Sequence, residues 1–391
     1  MENLLIRNGV CALEAGPRRA DILCVDARIV AMGHEVEAAG VPVLDASGLT
    51  IGPGFVDIHT HGGGGSSFFA AETEQVYSFS EWAPRHGVTS FLVSTSGRGA
   101  GGTEEILSRL APAVIVPPAG AEPLGFHVEG PFLNPVRRGA FEEAMLERPS
   151  ADAFGRFQAA AFGLIRQITL APELPGAADV IQAALHTGAA AAMGHTDATA
   201  EQARRGFSAG ITHVTHLFNA MRPVHQRDGG PVLAALLEGG LTCELICDGA
   251  HLAEEVLQAA YRILGPARTC VVTDNVALAG AGAGVGPAAG SLATHTGAAV
   301  RADGTITGSI TPMDQQFRNA IAFLGLDLAT AFRICCSNPA RVAGAAGRKG
   351  RLERGMDADL VLLDDALRVV ATVCRGQVAW DARSGGSGVA R

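Results

Sequence analysis

From residue 53 to residue 344 the chain repeats one rhythm. A short apolar run rich in Val, Ile and Leu gives way to a longer stretch whose apolar residues recur at helical spacing. Eight runs of the first kind stand out: FVDIHTH, GVTSFLVSTS, PLGFHVEGP, QITLAPE, AAAMGHTDA, ITHVTHLFNA, LTCELICDGAH and RTCVVTDN. Stretches such as TEEILSRLAPAV, AADVIQAALHTG, TAEQARRGFSAG and LAEEVLQAAYRILG separate most of them. Strands alternating with helices imply parallel βα units. Eight such units predict an α/β fold, a (β/α)8 TIM-type barrel. The ends have another texture. Residues 1–52 and 345–382 read as short strands punctuated by Asp, Asn and Gly, and they are expected to pair into one small β-sandwich. Residues 383–391 have the composition of a flexible tail.

The polar residues of the barrel runs gather at one end. His59 and His61 close the first run, Glu129 the third, His195 the fifth and His216 the sixth. Asp248 and His251 follow the seventh, and Asp274 ends the eighth. In barrel enzymes the C-terminal ends of the strands carry the active site. Residues i and i+2 share a face of a strand, so His59 and His61 project side by side. They are either a metal-binding pair or two hydrogen-bonded residues at a strand terminus. Glu129, at the end of a buried strand, needs a metal or an arginine as partner. Together with His195 and His216 it matches the three protein ligands of a catalytic zinc, with the fourth position left for water. His213, three residues before His216, is expected to face the other way in a structural role. Asp274 reads as a turn residue or, at a metal site, as a general base. The four glycines after His61 are expected to let backbone pass close to metal and substrate.

Composition removes several function classes. The formal net charge is −9 and no basic run occurs, which argues against nucleic acid as a partner while leaving room for a small anion held by a few arginines. No apolar run is long and continuous enough for a membrane span. The opening MENLLIRNGV lacks the features of a signal peptide, and the eight cysteines show no C-x-x-C pattern. Reduced thiols in a cytoplasmic protein are expected. Among 30 basic residues only one is lysine, Lys349, and it lies beyond the barrel runs.

PGFVDIHTHGGGG, HVEGPFLNP, MGHTDA, THLFNAM, DGAH and VTD together resemble the amidohydrolase superfamily, and within it the branch that deacetylates N-acetylglucosamine 6-phosphate. The resemblance covers nearly the whole chain, with GRLERGMDADLVLLD included. It implies Glu129, His195 and His216 as ligands of the principal divalent metal, zinc, and Asp274 as catalytic acid/base. His59 and His61 would hold a second ion in those members that keep one. Residues matching Asn219, Ala220, Arg227 and His251 surround the sugar phosphate and acyl group in that branch. Arg227 is expected to reach a neighbouring subunit's site, which implies a homodimer. Superfamily members that bridge two metals through a carboxylated lysine are disfavoured, because no barrel run offers a lysine. Three departures bear on specificity. Phe141 stands where the branch usually has a histidine, NAMRPVHQRDGG keeps Arg227 but differs around it, and the stretch after VTDNVALAG is rich in Gly and Ala, with GSITPM later where GSxLTM is commoner. They keep open a related hydrolase of another N-acyl compound, such as N-acetylgalactosamine 6-phosphate. A non-catalytic barrel that binds a sugar phosphate is the remaining alternative.

Overall fold

The computed structural model describes residues 3–96, 101–280, 293–295 and 297–384. Eight parallel strands follow one another in the order of the chain: β1 (Phe55–Thr60), β2 (Val88–Thr95), β3 (Glu122–Glu129), β4 (Ile165–Leu170), β5 (Ala190–Met193), β6 (His213–Val214), β7 (Thr242–Ile246) and β8 (Thr269–Val272). Each expected run becomes one of them, the alanine-rich fifth included. The barrel closes just beyond the ends of β1 and β8. Asp274 N donates to His59 O at 2.8 Å and His61 N to Asn275 O at 2.7 Å. Nearly every strand residue is buried, as expected of a parallel sheet covered on its outer face by helices.

Helices α1 (Thr73–Trp82), α2 (Gly102–Ile115), α3 (Ala151–Ala160), α4 (Ala177–Thr187), α5 (Ala200–Ala209), α6 (Gly230–Leu237), α7 (Glu254–Leu264) and α8 (Met313–Leu324) form the outer ring. Local sequence sets their limits. Thr199 and Gln202 make a reciprocal capping box at the start of α5, and Gly210 in a left-handed conformation stops it. Ser150 caps α3 through the Ala153 amide. Between β8 and α8 the chain inserts a small antiparallel sheet of Ala293–His295, Ala298–Val300 and Ile306–Ser309. The Gly- and Ala-rich stretch falls largely on 281–292, outside the described residues, as does the end of the tail from 385.

The two ends of the chain do pair. Leu360–Leu363 runs antiparallel to Thr50–Pro53, with Leu362 opposite Ile51. Val10–Leu13 runs parallel on the other side of Thr50–Pro53. This six-stranded sheet and a four-stranded sheet of residues 4–45 share an apolar core that includes Leu4, Ile6, Ile22, Ile51, Leu360 and Leu362. Lys349 sits beside that junction and is buried. Its Nζ lies 2.6 Å from Glu122, at the start of β3, 2.8 Å from Asp357 and 2.5 Å from Asp359. The one lysine is therefore a buried counter-ion at the N-terminal end of the barrel, remote from the strand ends that carry the histidines. All eight cysteines are free and buried.

Candidate active site

Six side chains converge at the C-terminal mouth of the barrel. His195 and His216 place their Nε2 atoms 3.1 and 3.0 Å from Glu129 Oε1, and 3.1 Å from each other. His61 Nε2 lies 3.1 Å from Glu129 Oε2 and 3.4 Å from Asp274 Oδ1. His59 Nε2 lies 3.5 Å from both Glu129 Oε1 and Asp274 Oδ1. The donor atoms form two clusters, each able to hold a metal ion: Glu129, His195 and His216, and His59, His61 and Asp274. Three of these residues depart from strand geometry. His195, His216 and Asp274 have φ of +47°, +27° and +51°. Each lies two residues past the end of its strand, where the chain turns abruptly and aims the side chain across the mouth. Such backbone is costly for a non-glycine residue and concentrates at functional sites.

The proton positions decide what this cluster can hold. His61 Nδ1 faces Ser94 O at 3.0 Å, His195 Nδ1 faces Arg137 O at 2.9 Å, and His59 Nδ1 faces Glu244 Oε2 at 2.8 Å. An acceptor at Nδ1 fixes the proton there and leaves a lone pair on Nε2. Lone pairs then point at lone pairs and at carboxylate oxygens over about 3 Å. Only protons or cations between them make that arrangement attractive. In agreement, burial pushes the His61 imidazole down, but Asp274 and Glu129 outweigh it and raise it to about 9. Burial likewise works against ionised Glu129, yet His59, His195 and His216 hold it well below the usual carboxylate range. Imidazole and carboxylate donors of this kind suit zinc and its first-row neighbours.

Beneath the mouth lies a polar layer that apolar strand patterns did not announce. His127 bridges Ser94 Oγ at 3.0 Å and Thr169 Oγ1 at 2.8 Å. Glu244, in the middle of β7, accepts from His59, from the His216 amide, from His213 and from Gln167. His213 therefore points into the barrel and not away from it. The expectation from strand alternation fails because β6 ends at Val214, so His213 and His216 do not belong to one extended strand. Its structural character stands. One rim residue has a partner that was not singled out for it. Asp248 Oδ2 lies 2.6 Å from His251 Nδ1, and His251 Nε2 faces Asp274 Oδ2 at 3.9 Å.

Above the cluster opens a cavity of ≈ 1320 Å³, lined among others by His61, Glu129, His195, His216, Asn219, Ala220, His251 and Asp274. Phe141 forms part of its wall, edge-on to His195 with ring centroids 5.3 Å apart. Arg227 is exposed on the loop before α6 and is absent from the lining of its own chain's cavity. The glycines after His61 correct a second expectation. They do not line the cavity. A Cβ on Gly63 or Gly64 would come within 2.5 Å of the Trp82 ring, so their bareness admits an indole.

Residues 50–379 match the amidohydrolase family. The chain belongs to that family. Among amidohydrolases it is similar to the N-acetylglucosamine-6-phosphate deacetylase of Bacillus subtilis, at 32% identity over 97% of this chain and 94% of that one. The human protein of the same name is 36% identical over 86% of this chain and 85% of its own. Among solved amidohydrolase structures, an N-acetyl-D-glucosamine-6-phosphate deacetylase variant from Mycobacterium smegmatis, in complex with N-acetyl-D-glucosamine-6-phosphate, superposes with a TM-score of 0.89. It is 34% identical, with 97% of this chain and 100% of that one covered.

Proposed function

We propose that this amidohydrolase removes the N-acetyl group of N-acetylglucosamine 6-phosphate, giving glucosamine 6-phosphate and acetate. One observation carries the reading: relatives at 32–36% identity over most of the chain, from bacteria to mammals, share that name. The two three-residue donor groups at the barrel mouth agree with it. Glu129, His195 and His216 would hold the principal divalent ion, and His59 and His61 a second. Such an ion, zinc in this reading, polarises an amide carbonyl and lowers the pKa of water toward about 7. The chain's own residues do the rest. Asp274 turns Oδ1 to the histidine pair and Oδ2 toward His251 and the cavity, so one oxygen stays free to take a proton. It accepts the proton of the attacking water and returns it to the departing amine. His251, fixed by Asp248, presents Nε2 to the same reacting region. Asn219 and Ala220 line the sugar-phosphate side, and Arg227 serves the site of a second subunit in a homodimer. The free, buried thiols fit a cytoplasmic setting.

Phe141 favours a second reading. An aromatic ring in the wall where a polar group would hydrogen-bond a hydroxyl changes selectivity, and another amino sugar or N-acyl compound becomes the substrate. Acetate release by metal-quantified protein separates the two. N-acetylglucosamine 6-phosphate is compared with its unphosphorylated form and its galacto isomer. Fast, phosphate-dependent release from the gluco sugar supports the first reading. Faster release from another member of the panel replaces it with the second.

A further inference from the structure

Glu244 is a fully buried carboxylate that no step above uses. It sits in the middle of β7, below the mouth. Oε2 accepts from His59 Nδ1 at 2.8 Å and from the His216 amide at 2.9 Å. Oε1 accepts from His213 Nε2 and Gln167 Nε2, both at 3.0 Å. Four donors on one side chain satisfy it completely, a necessity for a charge at that depth. The other end of the His59 ring tells the opposite story. Nε2 is buried and without a hydrogen-bond partner, 3.5 Å from two carboxylate oxygens. A ring with one nitrogen clamped by an anion and the other bare in a nest of oxygens is set up to bind a cation. An anionic partner fixes the tautomer and makes the free nitrogen a stronger donor.

We infer that Glu244 is the positioning residue that makes His59 a metal ligand, so that occupancy of the His59, His61 and Asp274 position depends on the carboxylate of β7. The inference rests on the reading of the cluster as a metal centre. The isosteric change Glu244→Gln isolates the charge. Its amide oxygen can keep the bonds to His59 and to the His216 amide. Its NH2 would face His213, which can accept at Nε2 with its Nδ1 proton on Thr242 Oγ1, 2.7 Å away. It would also face Gln167, whose Oε1 is unpartnered and becomes available on rotation of the amide.

Zn²⁺ is titrated into chelator-stripped wild type, Glu244→Gln, Glu244→Asp, His59→Gln and the Glu244→Gln/His59→Gln double variant. Wild type is expected to take up two equivalents. Glu244→Gln should weaken one of them about 10–100-fold and spare the other. Glu244→Asp should recover part of the loss, and Glu244→Gln should add nothing once His59 is gone. Long-range ¹H–¹⁵N correlation on Zn²⁺-loaded wild type, which needs no variant to fold, should place the His59 proton on Nδ1. Wild-type protein that binds no Zn²⁺ overturns the metal reading and this inference with it. Wild-type affinities at both positions in Glu244→Gln, an undiminished effect in the His59→Gln background, or a proton on His59 Nε2 overturns the inference alone.

Discussion

At the scale of the residue, Asp274 has the sharpest consequence. One oxygen faces His61 at 3.4 Å and the other points toward His251. Asp274→Asn keeps the shape and the hydrogen-bonding reach but removes the proton-accepting charge. Turnover should fall about 10²–10⁴-fold, the range typical of a lost general base, while the cavity keeps its affinity for the sugar phosphate. Steady-state rates together with product binding by calorimetry check this, and a rate within tenfold of wild type removes Asp274 from the role. His59, His61, Glu129, His195, His216 and Asp274 were legible in the sequence because chemistry-bearing residues at the ends of successive apolar runs are rarely accidental. Glu244 and His213 were not. A single Glu inside LTCELIC carries no spacing signal, and alternation along β6 misdirected His213 because that strand is only two residues long. Partners that meet through space from β1, β4, β6 and β7 leave no mark on any one segment.

At the scale of the element, the eight strands and their helices followed from period alone, since a parallel barrel demands continuous apolar runs and amphipathic returns. The loop after β1 did not. GGGG announces freedom, and only the packed structure assigns it to Trp82 at the end of α1. The assignment predicts an order of stabilities. Gly64 has φ +61° and a Cβ there would meet the indole at 2.5 Å, whereas Gly65 has φ +94° and open space around it. Gly65→Ala carries backbone strain alone. Gly64→Ala adds overpacking of about 1–3 kcal/mol against a rigid ring. For a chain of this size that corresponds to a thermal midpoint about 1–4 °C below that of Gly65→Ala. Equal midpoints in a thermal melt of the two variants would mean that Trp82 yields and the loop is not shaped by it.

At the scale of the whole molecule, two associations are at stake. The first, between barrel and terminal strands, is pinned by Lys349. Without its charge Glu122 keeps Arg348, Asp357 keeps Arg348 and Arg28, and buried Asp359 keeps only the Arg375 backbone amide, so Lys349→Met should cost about 3–5 kcal/mol of stability at neutral pH. Burial pushes the Glu122 carboxyl up, but Arg348 and Lys349 bring it down to about 2. A depressed carboxyl stabilises the fold above its unfolded value of about 4.3 and loses that contribution as pH falls toward 2. The penalty of Lys349→Met, read from denaturant midpoints, should therefore shrink over that window. A penalty independent of pH would deny the coupling. The second is the proposed association between subunits. Arg227 is exposed and stands outside its own cavity, so a role in catalysis requires a second copy. Arg227→Ala and Asp274→Asn should each be nearly inactive, by different routes. In a dimer formed from one of each, the subunit carrying Arg227→Ala keeps its own Asp274 and receives Arg227 from its partner, which restores one site. Random reassociation makes half of the dimers mixed, each with one competent site of two, so about one quarter of wild-type activity should return. Mixing after mild unfolding, with acetate release as readout, decides the matter. Activity no greater than the sum of the two variants would return Arg227 to the surface.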